Sequence, residues 1–229
     1  MTSRVLRLIA ILVLAAAVFP LGAQEASDEA KRITESALVL NEIMDAADQS
    51  VPRSIMEKAE GIAVFPSTLK GGLVVGGQRG RGILSVRDKK TGGWSAPAFL
   101  TITGGSIGAQ IGGQALDLVL VINGQRGLEQ LVKNQFKLGA DASATAGPVG
   151  RDASASTDLQ MRAQILSYSR SRGLFAGVTL NGSTIRQDRD ANERFYGTAY
   201  RTGQIVFDGM GGSPEPVEAW KATLTKYAK

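Results

Sequence analysis

The chain contains no cysteine and no histidine among its 229 residues. Without cysteine there is no disulfide, no thiolate nucleophile and no lipid-modified cysteine behind an apolar leader. Without histidine the most used general base is gone, and with both absent the Ser/His and Cys/His pairs and the ordinary zinc sites are excluded. Aromatic residues are scarce at 6%. A charge excess is nearly missing too: 26 basic residues stand against 21 acidic ones, which is not the basic stripe with aromatic platforms of a nucleic-acid binder. Long hydrophobic runs are also absent. The run from Leu8 to Phe19 is apolar throughout, but it falls short of the about 20 residues that a membrane-spanning helix needs.

That run follows Arg4 and Arg7 and leads into Pro20, Gly22 and Ala23, the three-part layout of a secretory signal peptide over residues 1–23. An uncleaved N-terminal anchor is the alternative. Removing the segment leaves 24 basic against 21 acidic residues over 24–229, a length suited to one domain. An exported chain without cysteine fits a bacterial periplasm better than a disulfide-rich extracellular module.

Ile33, Ala37, Leu40, Met44 and Ala47 recur at steps of four and three, which predicts an amphipathic helix over Ala26 to Gln49. Its remaining positions carry Asp28, Glu29, Glu35, Glu42, Asp45 and Asp48 against Lys31 and Arg32. A short helix is expected over Pro52 to Glu60, with proline in the first turn and Gly61 as the stop. The runs GIAVFP, GGLVVGGQ, GILSVR, WSAPAFLTIT and ALDLVLVIN then read as strands divided by glycine-rich or charged turns, and their spacing argues for antiparallel pairing. Helices are expected again over Leu128 to Gln135 and Pro216 to Tyr227, the latter with Val217, Trp220, Leu224 and Tyr227 on one face. The expectation is therefore a single α+β domain, mainly an antiparallel β-sheet of eight or more strands that can curl toward a barrel, with N-terminal helices and a C-terminal helix packed on it.

The stretch TGGSIGAQIGGQ, Thr103 to Gln114, puts glycine at 104, 108 and 112. A membrane helix zipper needs apolar neighbours for about 20 residues, and Ser106, Gln110, Gln114 and Asp117 interrupt the run. A phosphate-binding loop needs a following lysine and hydroxyl, or a strand, glycine turn and long helix, and neither is present. With period two, Ile107, Ala109, Ile111, Gly113 and Ala115 fall on one face, which predicts a half-buried strand whose glycines admit close neighbours.

Taken together, GIAVFP at 61–66, KGGLVVGGQRGRGILSVR at 70–87, GWSAPAFLTITGGSIGAQIGGQALDLVLVIN at 93–123, FKLGADASATAGPVGR at 136–151 and ILSYSRSRGLFAGVTLNG at 165–182 resemble, in order, the core of the SYLF domain family. The resemblance covers about 150 residues and implies a core over 61–200. It implies a lipid-binding module: eukaryotic members bind phosphoinositides, fungal members associate with actin, and bacterial members are short exported proteins made of little else. Anionic phospholipid at a bacterial envelope membrane is the partner so implied, with no catalytic reaction and no cofactor. In eukaryotic relatives a basic amphipathic N-terminal helix makes the membrane contact. Here that segment is net acidic, so anionic head groups repel it, and its apolar stripe is expected to pack on the sheet.

Basic density lies instead in Lys70, Arg79, Arg81, Arg87, Lys89 and Lys90, against the lone acid Asp88. At about 1 kcal/mol per basic residue near an anionic leaflet, this region would supply on the order of 5 kcal/mol, or roughly 0.1–1 mM affinity, so apolar contacts or a shaped head-group pocket are needed as well. The alternative is that these are solvated turn charges that keep sheet edges unpaired. In SYSRSRG, Arg170 and Arg172 either fork onto phosphate or pair with carboxylates such as Asp117 or Asp141. The acids Asp117, Asp141 and Asp152 lack any motif that would make them a glycosidase pair. An envelope protein-interaction module using Trp94, Trp220 and Tyr227 is the second functional expectation. Nucleic acid is not an expected partner, nor is actin for an exported bacterial protein.

Overall fold

The computed structural model describes residues 21–46, 50–72, 75–107, 112–149, 163–171, 174–177 and 180–228. The apolar leader up to residue 20, Ala47, Ala109, Ile111 and Arg172 lie outside them. Helix α1 (Leu21–Met44) buries Ile33, Leu40 and Ile43 completely and packs chiefly on the C-terminal helix, then on the helix over Arg189–Tyr196 and on the first two strands. Two positions assigned to its polar face, Glu29 and Arg32, are buried, because they pair with each other at 3.3 Å. Helix α2 (Arg53–Glu57) is shorter than the expected 52–60: Pro52 is its N-cap residue rather than part of its first turn, and the helix ends at Glu57 with Lys58 as C-cap, before Gly61 opens the first strand.

Four long strands form the centre: β1 (Gly61–Gly72), β2 (Val75–Val86), β3 (Ala98–Ile107) and β4 (Gly112–Ile122). Helix α3 (Gln125–Leu131) and the strands β5 (Gln135–Lys137), β6 (Ala144–Ala146), β7 (Ile165–Ser171), β8 (Leu174–Gly177) and β9 (Thr184–Gln187) follow, and then α4 (Arg189–Tyr196), α5 (Thr202–Val206) and α6 (Glu215–Tyr227). The strand order is β5-β9-β3-β2-β1-β4-β7-β6, with β8 beside β7, and all pairs are antiparallel except β6 with β7. The sheet curls into a half-barrel. Residues 62–65 and 118–122 are wholly buried on both faces, which is why these stretches read as unbroken apolar runs rather than alternating ones.

Two local devices shape the sheet. At Pro66 and Ser67 the register of β1 shifts against both neighbours. Proline brings no N–H to a ladder, and Ser67, at φ 49°, donates its N–H to the Asp117 carboxylate at 2.9 Å. Across the strand, Gly80 and Gly82 leave room for Thr68 and for the Phe65 ring, which a Cβ at either position would strike.

Several boundaries differ from the sequence expectation. GGLVVGGQ straddles the end of β1 and the start of β2, and the third helix lies at 125–131 because Gln135 opens β5. The glycine stretch is not one strand but the end of β3 and the start of β4, which stand on either side of the β2–β1 pair. Its glycines meet those of that pair in register: Gly105, Gly77, Gly71 and Gly113 form one row, and Ser106, Gly76, Gly72 and Gly112 the next. Helix α6 matches its expectation. Val217, Trp220, Leu224 and Tyr227 are all buried, and Trp220 donates its indole N–H to Ser85 Oγ at 2.8 Å.

Candidate functional site

Opposed residues in an antiparallel pair share a face, so the register places the basic side chains. Arg79 faces Thr103, and Arg81 faces Thr101. Thr103 in turn faces Thr184, and Thr101 faces Arg186. Lys137 of β5 faces Thr184. One sheet face therefore carries two registered rows, Arg81–Thr101–Arg186 and Arg79–Thr103–Thr184–Lys137. The four cations are exposed, and none forms an ion pair or side-chain hydrogen bond with another described residue. Neighbouring strands lie about 4.8 Å apart, so Arg81 and Arg186 stand roughly 10 Å apart on a threonine-lined field. Leu69, opposite Arg79 on the same face, is 66% exposed.

The same face is covered by helices farther along the strands, where Phe99 and Ser85 lie under α4 and α6. At the border α1 runs past the basic field and leaves an open cleft of about 370 Å³ between Asp28, Lys31 and Glu35 on the helix and Ser67, Leu69, Arg79 and Arg81 on the sheet. Beneath it Arg32 is fixed by Glu29, by Asp188 at 3.5 Å and by the Phe99 ring at 5.2 Å, while Arg194 also reaches Glu29 at 2.9 Å. Burial pushes the Arg32 guanidinium below its usual range, and Glu29 and Asp188 oppose that shift. This buried network holds α1 against α4 at the edge of the field.

The residues singled out in the sequence thus separate. Arg79 and Arg81 stand together on the field. Lys70 faces Gln78 and Gln114 on the opposite side of the sheet. Arg87 is a structural clamp: it donates to the carbonyls of Ala59 at 3.1 Å and Ala228 at 2.8 Å, and it covers the Trp94 ring at 4.9 Å. Lys89 bonds Gln125 and pairs with Glu60, while Lys90 is exposed beside it in the turn beyond the far end of β2. Arg170 is held by Asp117 at 3.1 Å and by Glu42 of α1, the structural pairing weighed for the SYSRSRG motif. Trp94, Trp220 and Tyr227 are all buried and form no surface.

Lys137 and Arg186 were not anticipated from the sequence. Their alternation with buried Phe136 and Ile185 was legible, but Arg186 reaches β3 only through the distant β3–β9 pairing, and Lys137 joins the face only through the further pairing of β5 with β9.

Among the described residues there is no cluster of metal-ligating side chains and no helix long and apolar enough to cross a membrane. Fold and face together define an α+β domain built on a curled, mostly antiparallel sheet that carries an uncovered basic field.

A profile described as "Ysc84: Las17-binding protein actin regulator" matches residues 103–227. Similar proteins include LAS seventeen-binding protein 3 of Saccharomyces cerevisiae, 33% identical over 202 residues, which covers 87% of this chain and 43% of that protein. SH3 domain-containing YSC84-like protein 1 of Homo sapiens is 34% identical over 194 residues, with 83% and 55% covered. The chain belongs to the Ysc84/SYLF family, and it spans about half the length of these relatives.

Proposed function

We propose that the protein binds the surface of a membrane bearing anionic phospholipid, without catalysis, through the sheet face that carries Arg79, Arg81, Lys137 and Arg186. The observation that carries this reading is the co-facial register of four exposed cations without ion-pair partners among the described residues. Four such charges supply on the order of 4 kcal/mol at an anionic leaflet. Leu69 stands beside Arg79 with most of its side chain in water, and burying it in the interface adds about 1.5–3 kcal/mol. Together these terms give an affinity on the order of 10–100 µM, tighter than charge alone. Threonines between the cations offer hydroxyls to phosphate oxygens. Lys89 and Lys90 are a separate basic point at the other end of β2 and are secondary here.

The leader-like residues 1–23 and the absence of cysteine support export to a bacterial envelope as the setting. The description of the matching family profile names actin regulation, and an exported chain would not meet cytoplasmic actin, so the lipid surface is the reading advanced. Vesicle co-sedimentation tests it. Binding should require anionic lipid and weaken steeply between low and physiological salt; equal pelleting with neutral vesicles would refute it.

A further inference from the structure

Resting on that reading, we infer that the cleft beside the basic field receives a zwitterionic phosphoethanolamine-type lipid head group. Its sheet wall carries two arginines, and its helix wall presents two acids beside Lys31 and Arg32; the acids do not close on the sheet arginines. On the sheet side stand Arg79 and Arg81, both exposed and without an ion pair to another described residue. On the helix side stand Asp28, exposed and likewise unpaired, and Glu35, whose single partner is Lys31 at 3.8 Å. A purely anionic ligand gains from the arginines and is repelled by the acids. A phosphate that also carries a primary ammonium satisfies both walls: the phosphate oxygens accept from the guanidiniums, and the ammonium donates to Asp28 and Glu35. The cleft, about 370 Å³, lies within the range of small-molecule sites. Its opening reaches Leu69, the apolar residue positioned to meet the membrane beneath such a head group. A quaternary trimethylammonium has no N–H to donate to the acids, so a choline head group is disfavoured.

The test uses vesicles with a fixed fraction of phosphatidylglycerol and the remainder either phosphatidylethanolamine or phosphatidylcholine. The protein should bind the ethanolamine vesicles several-fold more tightly, and soluble phosphoethanolamine should compete where phosphocholine does not. In the Asp28→Asn/Glu35→Gln double variant, both the preference and the competition should vanish while binding to phosphatidylglycerol persists or strengthens. No ethanolamine preference in the wild-type protein, or a preference that survives the double variant, would overturn the inference and leave the anionic-surface reading intact. Loss of the preference through the acids, with phosphatidylglycerol binding unaffected by Arg79→Ala/Arg81→Ala, would instead support the cleft and break the reading on which it rests.

Discussion

Single arginines in this protein do different work, and their surroundings decide which. Arg170 is half-buried between Asp117 and Glu42, so Arg170→Ala leaves a partly buried carboxylate without its cation and unties α1 from β4. A loss of about 1–3 kcal/mol is expected, readable as a lower urea midpoint. Arg79→Ala, at an exposed position without partners, should stay within about 0.5 kcal/mol; a large loss there would mean that it holds the fold rather than a ligand. The phenols give a pH signature. Burial pushes Tyr168 and Tyr196 above the ordinary tyrosine range, and Tyr196 also donates to the Pro97 carbonyl at 2.6 Å. Because the folded pKa exceeds the unfolded one, this stabilisation is complete below about pH 10 and is lost as the pH rises further. In an ultraviolet titration, Tyr168 and Tyr196 should ionise only as the protein unfolds. Ionisation of either in the ordinary range, with an unchanged circular dichroism spectrum, would contradict this burial.

At the scale of elements, the glycines of β2 divide into two kinds. Gly82 lies against the Val64 carbonyl and the Phe65 ring, whereas a Cβ at Gly77 would meet only the Gly104 carbonyl at an ordinary 3.8 Å. Gly82→Ala should cost about 1–3 kcal/mol and Gly77→Ala should be neutral or slightly stabilising, which denaturant unfolding of the two variants would compare. This difference also marks what the sequence could reveal. The apolar stripe of α1, the face of α6 and the buried runs of β1 and β4 were legible because helix and strand periods are local. The glycine stretch was misread as one strand, because period two continues unbroken across residues where the chain passes from β3 to β4, and nothing local signals the exit. The basic site was half legible for a related reason. Arg79 and Arg81 alternate with glycine and declare their face, but their nearness to Lys137 and Arg186 depends on strand pairings across long sequence separations.

For the whole molecule, the layout divides one face of the sheet between two tasks. Helices seal one stretch of it, while the adjoining stretch stays open and positive, bordered by the net acidic helix α1. Under the proposed reading, the field around Arg79 and Arg186 would face the membrane, with the Lys89 turn at the other end of β2. The most direct measurement compares two variants of equal charge change on vesicles rich in phosphatidylglycerol at low salt. The Arg79→Ala/Arg186→Ala variant should lose about thirtyfold in affinity, at about 1 kcal/mol per removed charge near the surface. The Lys89→Ala/Lys90→Ala variant should bind nearly as well as the wild-type protein. Equal losses in the two would show that only net charge matters, and a larger loss in the lysine variant would place the membrane at the opposite end of the sheet and contradict the account.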